Sequence, residues 1–330
     1  MARAIIILIL VSYVVETKQV SDNEKIRIVI RSDEIFLNDI KQSLGRYLFY
    51  FESKINDRLF IFVKKTEEPN RIQLSSNELA ALQRSNQNIE RLDQSYSWYP
   101  ESPLKPHFSA YGSDGHRTEQ GNARNFMHLC PPYFDQALGI DQSWIEHNVS
   151  GRGIVVGVTD VGINASNTHI RGNIKLDLSY NFVNNITQTS PSVFPNILES
   201  SSITGHAIAC AGLVARPMTV DECVSCGIGV AHESKVADLQ IAKVKENSWM
   251  FPVIDSAIFS RALAYRRDAI HIFSNSWAAK IPFKKLNFYE EDVLTEGVRE
   301  LRKSSGRDRF LPGNLDLDLP ITLGASPSHV

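Results

Sequence analysis

The sequence predicts an α/β fold, a doubly wound parallel sheet, preceded by a small α+β unit. After Asp135, short runs of β-branched residues alternate with stretches of helical spacing, as strands joined by crossover helices do. Before Ser97, apolar runs rich in Ile, Val and Phe are broken by charged stretches, which suits a few strands with short helices. Between the two, Ser97 to Arg124 is rich in Ser, Pro, Gly, His and Tyr and has no periodicity, so it reads as a linker or exposed loop. At 330 residues, 43% hydrophobic and 22% charged, the chain has room for two domains. Its formal net charge of −2 gives no reason to expect a nucleic-acid partner or an anionic membrane.

Taken in order, residues 1–17 carry Arg3 and then the apolar run Ala4 to Val15. A bilayer span needs roughly 20 apolar residues, so this shorter run reads as a secretory signal peptide. It predicts a protein of the secretory pathway or extracellular space, with no membrane span once the signal is removed. Residues 18–96 form the α+β unit, with strands at Ile28 to Ile30 and Leu59 to Val63 and short helices at Leu44 to Phe51 and Glu78 to Leu92. Residues 97–124 are the linker and 125–330 the sheet domain. There, Gly153 to Thr159 is a strand buried on both faces. Gly205 to Arg216 is a helix of small residues stopped by Pro217. Val236 to Ala242 is a strand, Pro252 to Arg266 an amphipathic helix with proline at its start, and Ile270 to Ser274 another buried strand. Phe288 to Lys303 is helical and Pro320 to Leu323 a strand. Ligands of such sheets bind beyond the carboxyl ends of the strands.

There are four cysteines, Cys130, Cys210, Cys223 and Cys226. Secretion permits disulfides. Cys223 and Cys226 make a lone C-x-x-C with no second pair and no histidines at ligand spacing. That is a weak zinc signal, and a disulfide partner or two small buried residues is the plainer reading. No metal site is expected. Sequons at Asn148, Asn164 and Asn185 are candidate glycan sites in a secreted chain.

Asp160 ends the strand 153–159, where a carboxylate points into the crevice, although Asp close before Gly is also a common turn. His206 follows Gly205 at the start of the next helix. Alone, neither residue is diagnostic. Together they can face each other across the crevice, the acid fixing the imidazole tautomer and the imidazole taking a proton from a nucleophile.

Four segments in order then resemble the subtilisin-like catalytic domain of the kexin/furin proprotein convertases. These are Trp144–Ile163 (WIEHNVSGRGIVVGVTDVGI), Ala209–Gly212 (ACAG), Cys226–Ala231 (CGIGVA) and Ile270–Trp277 (IHIFSNSW). The resemblance implies a subtilisin-like sheet, incomplete in this chain, and a serine endopeptidase ancestry with polypeptide substrates. It implies Asp160 and His206 as catalytic residues and Ser274, Asn275, Ser276 and Trp277 as the substrate-binding segment. Residues 44–65 and 90–99 resemble the same family's propeptide.

Several positions depart from the family pattern. The nucleophilic Ser follows the His by roughly 150 residues in the subtilisin template, whereas 124 residues follow His206 and none stands in a Gly-Thr-Ser-type turn. Ser326, four residues before Val330, has no helix to carry it. Gly313-Asn314 is the nearest match to the oxyanion loop, so Asn314 is the candidate donor. Val161, Ala207 and Lys280 stand where the family has an acid, a glycine and an acid, and His169 stands at a calcium-binding acid. The calcium site is therefore expected to be degraded, leaving no cofactor, and selectivity for basic residues is not expected. No basic cluster lies in 97–124 for self-processing. The expectation is a protease family member that is inactive as this chain because it stops before the serine. The alternative is a secreted pseudoprotease, a decoy or a propeptide-type regulator of an active relative.

Overall fold

The computed structural model describes residues 25–65, 73–98, 140, 144, 147–187, 200–217, 228–242, 254–277 and 286–304. The signal segment, most of the linker, Cys130, Cys223, Cys226, Lys280, Asn314, Pro320 to Leu323 and Ser326 lie outside the described residues.

In chain order the elements begin with β1 (Lys25–Arg31), α1 (Leu37–Gly45), β2 (Tyr50–Lys54), β3 (Leu59–Lys65), α2 (Ser76–Arg84), β4 (Arg91–Gln94) and β5 (Ser97–Trp98). They continue with β6 (Val155–Asp160), β7 (Tyr180–Asn181), α3 (Ser200–Ala215), β8 (Lys235–Gln240) and β9 (Ile254–Asp255). The last three are α4 (Ser256–Ala264), β10 (Ile272–Asn275) and α5 (Phe288–Ser304). The described residues fall into two compact units. One joins 25–98 to 254–267 and 277–304, and the other holds 140–242 with 268–276.

In the first unit, β2-β3-β1-β4 form an antiparallel sheet. Alternation sends Ile26, Ile28 and Ile30 of β1 to one face, where they meet Phe60 and Phe62 of β3, Ile40 and Leu44 of α1 and Leu82 of α2. The opposite face is also closed, because Val29, Leu59 and Ile61 are buried there. On that side Arg27 Nη1 bonds Asp255 Oδ2 at 3.1 Å and Arg31 pairs with Asp292. Burial on both faces explains the apolar runs Ile28 to Ile30 of β1 and Leu59 to Val63 of β3.

Two helix expectations fail here. The helix placed at 44–51 lies at 37–45. Leu48 takes the left-handed conformation (φ 65°), and the chain enters β2 at Tyr50. The helix placed at 78–92 runs from 76 to 84. A capping box starts it, with the Ser75 side chain accepting from the Glu78 N–H and the Glu78 carboxylate from the Ser75 N–H. Asn86 Oδ1 then accepts from the Asn88 N–H in a turn, which frees 91–94 to join the sheet as β4. The linker reading also starts too early, since Ser97 and Trp98 pair antiparallel with β9. The helix placed from Pro252 begins at Ser256, because Asp255 caps it by accepting from the N–H groups of Ala257 and Ile258.

The second unit is a four-stranded parallel sheet in the order β10-β6-β8-β7. From β6 the chain builds first to one side and later to the other, so β6 stands at the switch point where the crevice opens. All six residues of β6 are buried, as its β-branched composition predicts. Gly157 allows close approach. A Cβ there would meet Leu239 Cδ1 at 2.7 Å.

Candidate active site

Strand β6 delivers Asp160 to its carboxyl end, where the carboxylate is 5% exposed. Oδ1 accepts the Val161 N–H at 2.7 Å, and Oδ2 lies 2.9 Å from His206 Nδ1. That contact gives Nδ1 the proton and makes it the donor to the carboxylate.

The helix that carries His206 is shaped to approach the sheet. Ala207, Ala211 and Ala215 recur every fourth residue and are fully buried, a stripe of small side chains on one face. Its carboxyl end is closed by other segments. The Leu213 and Val214 carbonyls accept from the N–H groups of Val230 and Ala231, and the Ala215 carbonyl from Asn173 Nδ2. The helix begins at Ser200, so His206 sits in its second turn and not at its start, as the glycine before it had suggested.

One turn further on, the buried Cys210 places its sulfur 3.8 Å from both imidazole nitrogens. Burial pushes the His206 imidazolium down, but the hydrogen bond and charge of Asp160, with the Cys210 sulfur beside them, outweigh it. The group is raised to about 10. Ligand atoms of Asp160, His206 and Cys210 lie within 4.8 Å of one another. Oδ2 and Nδ1 are spent on each other, so the trio is a hydrogen-bonded cluster. Calcium does not fit at His169. The ring nitrogen lies 2.8 Å from the Arg216 guanidinium, and an imidazole beside a fixed positive charge is a poor setting for a hard cation that takes oxygen ligands.

The expected substrate segment divides. Ser274 and Asn275 belong to β10 and are buried, while Ser276 and Trp277 are partly exposed. Asn275 is occupied internally, accepting from Thr159 Oγ1 and donating to the Phe273 carbonyl at 3.4 Å. Trp277 packs edge-on to Phe259, with ring centroids 4.5 Å apart. The sequon residues Asn148, Asn164 and Asn185 are all exposed. Two residues near the pair were not anticipated, Asp238 and Gln240 of β8, both fully buried. Polar side chains at alternate positions of an otherwise apolar strand were the available signal.

Residues 151–309 match the subtilase family, peptidase S8. The chain is 26% identical over 172 residues to neuroendocrine convertase 2 of Mus musculus, covering 51% of this chain and 24% of that protein. It is 30% identical over 196 residues to kexin of Candida albicans, covering 59% of this chain and 18% of that protein. The matched stretch thus spans about a quarter or less of the length of these relatives. Among solved structures it resembles fervidolysin from Fervidobacterium pennivorans, a keratinolytic enzyme related to subtilisin. The TM-score is 0.54 at 13% identity, over 87% of this chain and 41% of that one, a likeness of fold alone.

Proposed function

Since this chain is a subtilisin-like, proprotein-convertase-related protein, we propose that Asp160 and His206 are the orienting acid and general base of a serine-peptidase site for polypeptide substrates. The observation that carries this is the 2.9 Å contact between His206 Nδ1 and a buried carboxylate at the end of β6. In such a site the imidazole takes the proton of an attacking hydroxyl and returns it to the leaving amine, while the acid holds the tautomer and stabilises the imidazolium. No Gly-Thr-Ser triplet occurs among the 330 residues, so these residues by themselves are expected to hold the pair without hydrolysing peptides. An N-terminal secretory signal and glycans on Asn148, Asn164 and Asn185 belong to the same reading, and the exposure of all three asparagines supports it.

A second reading, a non-enzymatic regulator or decoy for an active relative, is favoured by one observation. Val161 and Ala207, both buried and each next to a member of the pair, stand where the family has an acid and a glycine, changes that a missing serine alone would not bring. The first reading is tested at the imidazole. The His206 ring is titrated by NMR in the wild-type chain and in Asp160→Asn. The pair reading expects the substitution to bring His206 down towards the ordinary value near 6.5. A titration indifferent to Asp160 would sink it. Peptide cleavage by the purified chain that His206→Ala abolishes would count against the regulator reading.

A further inference from the structure

A catalytic carboxylate must be aimed as well as ionised, and strand β8 supplies the aiming of Asp160. In the parallel register Val158 lies opposite Asp238, and Asp160 lies opposite Gln240. Registered neighbours share a face of the sheet, so Asp238 and Gln240 lie on the face that carries Asp160. Asp238 is 0% exposed and Gln240 1%. Burying a carboxylate inside a parallel sheet is costly unless it accepts hydrogen bonds. Asp238 Oδ2 accepts the Ile163 N–H at 2.7 Å.

Between Asp160 and Ile163 the chain makes a tight turn that depends on Gly162. Its φ is +107°, and a Cβ there would come within 3.1 Å of Gln240 Cδ. The turn is therefore gripped at both ends. Val161 N–H is held by Oδ1 of Asp160 itself, and Ile163 N–H is held by Asp238. With Oδ1 so engaged, Oδ2 is the oxygen left to meet His206 Nδ1.

We propose that Asp238 is a positioning residue. By holding the Ile163 amide it fixes the 160–163 turn, and through that turn the rotamer in which Asp160 meets His206. The inference deepens the reading of Asp160 and His206 as a catalytic pair and rests on it. Asp238 touches neither the imidazole nor a reacting atom; its part is to select one orientation of a neighbouring acid.

The test is NMR titration of His206 in the full 330-residue chain, comparing wild type, Asp238→Asn and Asp238→Ala, with circular dichroism to verify folding. Asparagine keeps an oxygen that can accept from Ile163, so D238N is expected to leave His206 close to wild type. D238A removes the acceptor and is expected to weaken proton binding at His206 about tenfold, one pKa unit. A raised wild-type His206 left unmoved by D238A would overturn the inference and spare the pair. So would D238N matching D238A, since charge and not the held amide would then be responsible. A wild-type His206 that Asp160→Asn leaves unmoved would overturn the pair and the inference together. Should D238A fail to fold, hydrogen exchange of the Ile163 amide in the wild-type chain takes its place. Protection is expected, and exchange at the rate of an open loop would overturn the proposal.

Discussion

At His206 opposing influences act on one proton. Burial disfavours the imidazolium, and Asp160 with Cys210 favours it more strongly, so the folded chain holds the proton to about pH 10. The unfolded chain releases it near the ordinary 6.5. The stabilisation is thus complete below about 6.5 and is lost as pH rises towards about 10. Urea midpoints should fall between pH 6 and pH 9.5, and His206→Gln should flatten this part of the profile. An unchanged slope in the variant would mean that another group is responsible. That Asp160 and His206 could face each other was legible in the sequence, from an acid at the end of a buried strand and a histidine on the following helix, and their side chains do meet at 2.9 Å. Asp238 was not legible. Its value lies in a bond to a backbone amide 75 residues away, and no local spacing encodes that.

At the scale of the element, caps decide boundaries that periodicity misses. The helix α2 begins where Ser75 and Glu78 exchange hydrogen bonds, and α4 begins at Asp255; neither start follows from the apolar spacing alone. Replacing Ser75 by Ala should cost about 1 kcal/mol, read as a lower urea midpoint with unchanged slope. A loss below a few tenths of a kcal/mol would mean that the solvated Glu78 serves the same amides unaided. The strands β6 and β10 were legible to within two residues, since burial on both faces leaves an apolar signature. The first two residues of β2 and of β4 were read as the ends of expected helices. Tyr50–Lys54 has no fully buried residue, and its apolar content carries no strand pattern.

At the scale of the molecule, one packing unit is assembled from distant parts of the chain. Asp255 is its hinge pin, capping α4 while accepting from Arg27 Nη1 and, at 2.8 Å, from Ser95 Oγ. Around it Ser256 Oγ lies 2.6 Å from the Tyr289 hydroxyl, and the Tyr96 hydroxyl donates to Glu290. Asp255→Ala removes a cap and one of the two acids facing the part-buried Arg27, a loss on the order of 3 kcal/mol. Native-state hydrogen exchange should show protection falling in 25–31 and 59–65 as well as in 256–264, because they belong to one unit. A loss confined to 256–264 would contradict this. The doubly wound sheet was legible in outline, but the joining of 25–98 to 254–267 and 277–304 was not, since residues that meet in pairs such as Ser95 and Asp255 stand 160 positions apart.

That separation has a consequence for biosynthesis. A ribosome adding about 5–20 residues per second needs roughly 10–30 s to travel from Ser95 to Asp255. The same interval separates the emergence of Ser95 from that of Asp255, and during it the side of the first sheet that bears Val29, Leu59 and Ile61 lacks its later partners. Until the later helices arrive, that side is a binding surface for chaperones and a point of risk for aggregation, and the order of translation becomes part of how this chain reaches its fold.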